Sequence, residues 1–447
     1  MASGALGVGE RINGVNLGNW LVLERWMKPG IFAASGEADE IWLHRATKSA
    51  ELEALLTRHR DTYITEADFR NIAAHGCNLV RIPVPYFVFG DVPGHPGCTE
   101  YLDRAFDWAE RTGLKILIDL HTVPGSQNGF DNGGLTGVVR WHHSPRAVAY
   151  ALDVLTRLAK RYRDRAALFG IEVLNEPIDW LTYATSSSSR QAKDSFEARR
   201  SGPIPMVFLK RFYRESYRRL RPILAENQAI VFHDGFRLGR WRDWFVREGM
   251  RGVMLDTHVY LVMAEQFPLF RLIPDRWLMG WYRLFVRWNE RRIRRAARYT
   301  PVIVGEWCVA NGLVNRVVDK RTGDGGRSKE TPCTVHLSEA LFTARSPPCN
   351  ARHGTCPPGK SIGATNYVVI VISCLPSTRN PTRHASTLGI SLTSGSRLDG
   401  VMRTKSLSGG MIRAQLCKVE SELRDPAYPL RRGGLRVRDE KSAAAGT

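Results

Sequence analysis

The feature that most constrains the fold is an alternation, from residue 11 to about residue 310, of short apolar runs with longer amphipathic stretches. Short, nearly continuous apolar runs rich in β-branched residues are typical of strands covered on both faces of a parallel sheet. The stretches between them have helical spacing, which indicates repeated βαβ units. The seven predicted strands are Asn13–Gly18, Asn78–Pro83, Leu114–Leu120, Phe169–Asn175, Ala229–Asp234, Val253–His258 and Pro301–Glu306.

Seven such strands in about 300 residues fit an eightfold barrel with one strand missing or disguised better than they fit an open sheet. The predicted fold class is therefore α/β, a (β/α)8 TIM barrel that is incomplete or irregular at its eighth βα unit. One later apolar run, Tyr367–Cys374, is the candidate for a closing strand. The predicted helices are Glu66–His75, Thr99–Thr112, Pro145–Tyr162, Pro205–Leu224 and Leu278–Arg298.

The C-terminal part of the chain is a different kind of sequence. Only three of the 42 Phe, Trp and Tyr residues lie after residue 320, yet this part carries half of the net charge of +20. We therefore predict a barrel domain at 11–314 and an atypical basic tail at 315–447 that is poorly structured and largely disordered. No nucleic-acid-binding motif accompanies the Arg-rich helical stretches of the barrel, so no nucleic-acid partner is expected.

Targeting and metal-binding signals are weak. Met1–Glu10 contains no apolar core of the length that a secretory signal needs, which predicts a cytoplasmic protein; the alternative is a secreted protein whose leader is missing from this sequence. No apolar run reaches the length of a membrane span. The eight cysteines are dispersed and form no CxxC pair, so neither a zinc site nor a disulfide framework is predicted, and no cofactor is expected.

Polar side chains follow nearly every predicted strand, at its C-terminal end. In a parallel barrel these ends meet at one face, where catalytic side chains gather. Glu176 and Glu306 are the pair of carboxylates needed for acid/base catalysis with a covalent intermediate. Either could alone be a structural acid at a helix start, but polar side chains at successive strand ends favour a functional site. They are Arg81, His121, Asn175, Glu176, His258, Tyr260, Glu306 and Trp307.

Six segments of the chain carry a family resemblance. They are Gly14–Glu24, Asp119–His121, Gly125–Asn132, Asn175–Pro177, His258–Tyr260 and Gly305–Trp307. Together they resemble the motifs of glycoside hydrolase family 5, and within it the exo-β-1,3-glucanase branch, over roughly residues 11–310. The resemblance implies a retaining hydrolase that cleaves β-glucosidic bonds from the ends of β-1,3-glucan or related β-glucosides by double displacement. The expected partner is this oligo- or polysaccharide substrate, and the expected state is a monomer.

The resemblance also implies the two catalytic roles. Glu176 corresponds to the general acid/base, which protonates the departing oxygen and then activates water. Glu306 corresponds to the nucleophile, whose low pKa would be maintained by Arg81 and the hydroxyl of Tyr260. Asn175 would hydrogen-bond the 2-hydroxyl of the reacting sugar.

Further residues are implied to bind substrate. His121 and His258 would position substrate hydroxyls and the acid. Glu24 would bind the terminal sugar, as in the exo-acting branch, and Phe130 and Asn132 would lie near the pocket entrance.

Some residues have an open structural alternative. Arg81 could be a buried ion-pair partner, and His121 could be a core histidine. Among the tryptophans, Trp307 is the one most expected to contact sugar, because it adjoins Glu306. The others considered are expected in the apolar core, where most aromatic side chains lie: Trp20, Trp26, Trp141 and Trp180.

The chain departs from the family after Trp307. The closing strand of such a barrel should end in a Trp beneath the reacting sugar, and no Trp follows Trp307. We therefore hypothesise that a frame shift or misplaced splice has replaced the native sequence beyond about residues 311–320. Reading the other two frames of the source DNA tests this, because finding no Trp-containing strand in any frame would contradict it. The functional alternatives are an endo-β-1,4-glucanase of the same family and a catalytically impaired carbohydrate-binding barrel that lacks its eighth strand.

Overall fold

The computed structural model describes residues 12–186, 191–260, 273, 275–308 and 367–369 of the 447-residue chain. Its strands form one parallel sheet in which each strand pairs with the next along the chain. They are β1 (Gly14–Asn16), β2 (Leu79–Val84), β3 (Lys115–Leu120), β4 (Leu168–Glu172), β5 (Ala229–His233), β6 (Val253–Tyr260), β7 (Val302–Cys308) and β8 (Tyr367–Val369). Within the described residues β8 pairs with β7 but not with β1. The ring of strands is therefore not completed, and the sheet forms a nearly closed barrel.

Helices occupy the connections between the strands. They are α1 (Pro29–Phe32), α2 (Glu40–Ala46), α3 (Ser49–Tyr63), α4 (Glu66–Ala74), α5 (Thr99–Thr112), α6 (Pro145–Tyr162), α7 (Trp180–Ser186), α8 (Met206–Leu220), α9 (Trp244–Arg247) and α10 (Asp275–Ala296). All seven predicted strands and all five predicted helices are present, with ends shifted by a few residues. The sequence pattern did not predict α1, α2 and α3, which lie between β1 and α4, or α7 and α9.

Local sequence signals account for the best-defined helix ends. The side chain of Ser144 accepts a hydrogen bond from the N–H of Ala147, and Pro145 follows it as the first residue of α6. Thr65 and Asp68 form a reciprocal capping box at the start of α4. At the other end of α5, Gly113 adopts a left-handed conformation with φ of 75° that a residue with a side chain rarely takes.

The inside of the barrel has an apolar layer below a polar one. The lower layer is a buried apolar cluster to which six of the strands contribute: Ile12, Leu79, Leu117, Phe169, Ala229, Val231, Met254 and Ile303. Side chains two residues apart in a strand lie on the same face. The residues two positions after members of this layer therefore also face the inside of the barrel, nearer the C-terminal ends of the strands. They are Arg81, Asp119, His233 and Asp256. This alternation is what gathers polar groups at one end of the barrel.

A larger apolar cluster lies between the sheet and the helices. Trp20 and Trp141 are fully buried in it, as predicted, whereas Trp26 and Trp180 are exposed. The expectation of a core position for these two tryptophans is therefore wrong. Both lie in loop or helix-start segments, where no strand alternation determines which way a side chain points.

The structure tests the predictions for the C-terminal part of the chain only at Tyr367–Val369. Tyr367–Val369, the start of the predicted closing run, lies beside β7 with Tyr367 opposite Val302. The rest of that run, the boundary at residue 314 and the predicted disorder of 315–447 lie outside the described residues. Among the helices that the structure describes, none is both long and apolar enough to cross a membrane.

Candidate active site

Glu176 and Glu306 meet on either side of one histidine at the C-terminal end of the barrel. Nδ1 of His258 lies 2.8 Å from an oxygen of Glu176 and 3.5 Å from an oxygen of Glu306. These two carboxylate oxygens are therefore no more than about 6.3 Å apart, which fits the carboxyl separation of about 5–5.5 Å in retaining glycosidases. Both glutamates are buried.

Arg81 is the central cation of the site. It is fully buried on β2, and its guanidinium donates from Nη1 to Glu306 at 2.9 Å and from Nη2 to the side-chain oxygen of Asn175 at 2.9 Å. Its Nε donates to Glu172 at 2.7 Å, and Nη2 also lies 3.0 Å from Asp119. One planar fork thus holds the carboxylates of three strands in place, which a lysine ammonium could not do.

Glu306 is held in its ionised form. Burial by itself would raise the pKa of this carboxyl, but the charges of His258 and Arg81, with smaller help from His121, outweigh it. The hydroxyl of Tyr260 also donates to Glu306, at 2.5 Å. The resulting pKa is about 2, so Glu306 is a carboxylate at any pH at which the fold is expected to persist.

His258 is held in its protonated form. Burial would lower the pKa of this imidazole, but the charges of Glu306 and Asp256 and the hydrogen bonds to Asp256 and Glu176 raise it well above its ordinary value. Its Nε2 lies 3.3 Å from Asp256, which also accepts the N–H of Gly305 at 2.6 Å. A β-carbon at Gly305 would lie 2.0 Å from an Asp256 oxygen, so only glycine fits there.

His121 and Asn175 form the third side of the site. His121 is buried at the end of β3, with Nδ1 2.5 Å from Asp119. Burial would lower its pKa, but the charge of Asp119 and the hydrogen bond to it produce a net rise. Its Nε2 faces the side-chain nitrogen of Asn175 at 3.5 Å. Because Arg81 occupies the amide oxygen of Asn175, the amide nitrogen is the group left to face a substrate hydroxyl.

Glu176 is positioned by the loop at 125–132. The side-chain nitrogen of Asn132 donates to its second oxygen at 3.0 Å. Gln127 donates to the carbonyls of His121 and Asn175, which pins this loop to the ends of β3 and β4. Glu176 itself has a left-handed backbone with φ of 43°, a strained conformation that non-glycine residues adopt mostly at functional sites.

Glu24 lies close enough to the site for the charges of His121 and Glu306 to act on its carboxyl. Burial raises the pKa of Glu24 to about 8, and the negative charge of Asp131 adds to the rise. Glu24 accepts a hydrogen bond from the indole of Trp26 at 2.8 Å. Phe130 is half-buried and packs on the outer apolar cluster. Substrate contact at both residues stays a prediction.

The position of Trp307 corrects the prediction made for it. The residue is 5% exposed and belongs to the apolar cluster between sheet and helices, with Val302 and Val304. A register shift between β6 and β7 inserts one extra residue between Ile303 and Glu306, which turns Glu306 to the inside of the barrel. The next residue, Trp307, therefore points to the outer face. Trp307 is a core residue and does not line the site.

Several residues of the site were missed at the level of sequence. Asp119 and Asp256 hold the imidazoles of His121 and His258, and each precedes its histidine by two residues on the same strand. The period-two rule would have found both. His233 packs its ring edge-on against His258, at a centroid distance of 4.3 Å, and nothing in the sequence pattern marks it.

Among the residues that the structure describes, two sets of side chains have the spacing of metal ligands. In Glu176, His233 and His258, and in Glu172, Asp256 and His258, the ligand atoms lie within 4.8 Å of one another. His258 belongs to both sets, and both of its nitrogens face carboxylates that raise its pKa. These contacts favour the protonated imidazole, which has no lone pair for a metal.

Known proteins similar to this chain fall in one group. A family model described as Cellulase (glycosyl hydrolase family 5) matches residues 43–197. The chain is 34% identical over 325 residues to a probable glucan 1,3-beta-glucosidase A of Aspergillus terreus, covering 71% of this chain and 70% of that protein. A protein of the same name from Aspergillus fumigatus is 44% identical over 355 residues, covering 77% of this chain and 72% of that protein.

Other relatives are covered less completely. The match to a glucan 1,3-beta-glucosidase of Blumeria graminis has 37% identity over 266 residues and spans 57% of each protein. Among solved structures, rutinosidase from Aspergillus niger superposes with a TM-score of 0.54 at 22% identity, covering 71% of this chain and 86% of that one. At this identity the superposition shows the barrel fold alone.

Proposed function

The chain belongs to glycoside hydrolase family 5, and we propose that it is a retaining β-glucosidase that releases glucose from the ends of β-1,3-glucan. The observation that carries the proposal is the pair Glu176 and Glu306, whose carboxylates lie 2.8 Å and 3.5 Å from the same nitrogen of His258, close enough for the short carboxyl separation that retaining enzymes use. The glucan 1,3-beta-glucosidase relatives support the linkage.

In the first half of the reaction, an oxygen of Glu306 attacks the anomeric carbon of the terminal glucose. The glycosidic bond breaks, and its electron pair stays on the leaving oxygen, which takes the proton of Glu176. Arg81 and Tyr260 keep Glu306 ionised and in position. The sugar is then an ester of Glu306, and Glu176 is a carboxylate.

In the second half, Glu176 removes a proton from water as the water attacks the anomeric carbon from the side that the leaving group vacated. The bond to Glu306 breaks, its electrons return to the carboxylate, and β-glucose departs with retained configuration. Asn132 and His258 keep Glu176 in position for both proton transfers. The amide nitrogen of Asn175 donates to the sugar 2-hydroxyl, and this bond strengthens as positive charge develops on the ring.

Glu24 is the residue proposed to bind the terminal sugar in exo action. Burial raises the pKa of its carboxyl to about 8, which favours a neutral group able to donate a hydrogen bond to a sugar hydroxyl. The indole of Trp26 fixes one of its oxygens. The exo direction of attack is supported by the glucan 1,3-beta-glucosidase relatives.

The proposal is tested by product analysis on laminarin, an aryl β-glucoside and a soluble β-1,4-glucan. Glucose as the first product from laminarin, in its β form by proton NMR before mutarotation, supports retaining exo action. A rapid fall in viscosity of the β-1,4-glucan would favour the endoglucanase alternative. Absence of all activity from a chain with native circular dichroism would favour the catalytically impaired barrel.

The active species is proposed to be a monomer. Light scattering coupled to size-exclusion chromatography gives the mass directly, and the value expected is near 50.3 kDa. A mass twice as large, with activity restricted to that fraction, would contradict it.

A further inference from the structure

A line of exposed side chains runs along the outer face of α10. Three are large apolar groups with exposed fractions of 62%, 57% and 48%, and the rest are exposed arginines that continue the same line into the turn after the helix. Successive members are three, four or seven residues apart, which places them on one helix face. This α10 stripe consists of Trp277, Leu284, Trp288, Arg291, Arg295 and Arg298.

The α10 stripe points away from the barrel. The inner face of the helix buries Leu278, Tyr282 and Ile293. Leu284 and Ile293 are nine residues apart, which is two and a half turns, so they lie on opposite sides of the helix. In a barrel the neighbouring helices sit beside α10 and not on its outer side, so they do not cover this face.

No described carboxylate pairs with the cationic half of the stripe. Within the part of the chain that the structure describes, Arg291, Arg295 and Arg298 make no ion pair, whereas the neighbouring Arg294 pairs with Glu290. Exposed apolar groups of this size on a soluble surface usually mark an interaction site. Their combination with adjacent unpaired arginines identifies a partner that is both apolar and negatively charged.

We propose that the α10 stripe binds an anionic lipid surface. The indoles and Leu284 enter the boundary between headgroups and acyl chains, and the arginines pair with lipid phosphates. The stripe spans about 32 Å on a single convex helix, which fits a planar surface without needing a groove. Because the active site opens at the end of the barrel and the stripe lies on its side, bound enzyme keeps its pocket open to polysaccharide.

The test is co-sedimentation of the full chain with vesicles of phosphatidylcholine alone or mixed with phosphatidylserine. Binding is expected to the mixed vesicles, to fall with added salt, and to be weak on phosphatidylcholine. The triple variant Arg291→Gln/Arg295→Gln/Arg298→Gln is expected to lower the partition coefficient about 100-fold. The matched control removes the same charge from three exposed arginines on other helices: Arg58→Gln, Arg146→Gln and Arg211→Gln.

A second pair of variants separates the apolar contribution from the charge. Trp277→Ser/Trp288→Ser is expected to abolish detectable binding, and Phe196→Ser/Val207→Ser, which alters exposed apolar groups elsewhere, is expected to leave it unchanged. Hydrolysis of a soluble aryl β-glucoside, if the proposed activity holds, should be the same in all variants; thermal unfolding verifies folding independently of that activity.

Three results would overturn the proposal. The first is failure of the unaltered chain to bind mixed vesicles, and the second is equal loss of binding in the control variants. The third is slow maleimide labelling of Leu284→Cys in the free protein, followed by mass spectrometry of its peptide, since this would mean that the chain's own remaining residues or a second copy cover the stripe. Fast labelling that mixed vesicles suppress is the outcome expected.

Discussion

Two buried carboxyl groups of the site have opposite ionisation. Burial raises the pKa of Glu24 to about 8, and the negative charge of Asp131 adds to this rise more than the charge of His121 opposes it. Glu306 is just as removed from water, yet His258 and Arg81 hold its pKa at about 2. Burial alone therefore protonates a carboxyl here, and a carboxylate persists only where cations are built into the same polar layer.

The different pKa values suit the two carboxyl groups to different tasks. A nucleophile must be ionised before substrate arrives, whereas a group that binds a sugar hydroxyl can work as a neutral donor. Substituting either carboxyl group or its partners tests this difference in ionisation, and the largest effect is expected at the nucleophile.

Replacing the nucleophile should have the largest effect. Glu306→Gln keeps the shape of the side chain but removes the carboxylate, and kcat on an aryl β-glucoside is expected to fall by about 10⁴-fold or more. Stopped-assay kinetics on the purified variant measure this. A variant that retains more than a few per cent of the activity would refute the assignment of Glu306.

Replacing the guanidinium of Arg81 should destabilise the fold as well as the site. Arg81→Lys keeps the positive charge but lacks the planar fork that contacts several buried carboxylates at once, and the free energy of unfolding is expected to fall by about 3 kcal/mol in urea titrations. The control is Arg70→Lys, at an exposed pair with Glu66, where less than about 1 kcal/mol is expected. Similar losses in the two variants would contradict the view of Arg81 as a hub.

Removing one hydrogen bond from the nucleophile should have a smaller effect. Tyr260→Phe takes a donor from Glu306, so kcat/KM is expected to fall about 10- to 100-fold. The pKa of Glu306 should rise, which moves the acid limb of the pH–rate profile to higher pH. Tyr183→Phe, which removes a hydroxyl bonded to the carbonyl of Ser201 far from Glu306, should leave the profile in place.

The raised pKa of Glu24 predicts that the free energy of unfolding depends on pH. Between the ordinary pKa of 4.5 and the folded value of about 8, the unfolded chain releases the proton of Glu24 while the folded chain keeps it. Stability of the unaltered chain should therefore fall as pH rises through this window, by up to about 1.4 kcal/mol per pH unit. Glu24→Gln removes this loss, so its stability relative to the unaltered chain should be greater at pH 8 than at pH 5; an equal difference at both pH values would argue against a neutral Glu24.

Much of the barrel could be predicted because its physics is local. Seven apolar runs identified the strands, and polar residues at their ends marked Arg81, His121 and Glu306 as neighbours before any coordinate was known. Of the candidate closing run, the described residues Tyr367–Val369 pair with β7. The family resemblance was confirmed by relatives matched over about 70% of their length.

The rest depended on information that a linear pattern does not carry. Asp119 and Asp256 could have been found by alternation, and the same rule would have turned Trp307 away from the pocket. The exposure of Trp26 and Trp180 could not have been found, because a loop has no periodicity. The pKa contrast between Glu24 and Glu306 depends on which strands meet across the barrel, and only the assembled fold supplies that.

The central claim is that Glu306 is the carboxylate nucleophile and Glu176 the general acid/base beside it. The most direct measurement is to incubate the enzyme with an aryl β-glucoside that bears fluorine at carbon 2, which slows release of the glycosyl-enzyme, and to identify the labelled peptide by mass spectrometry. The account predicts one glycosyl group per chain, attached to Glu306, and none on the Glu306→Gln variant. Label on Glu176, or steady turnover with no labelled peptide at all, would contradict it.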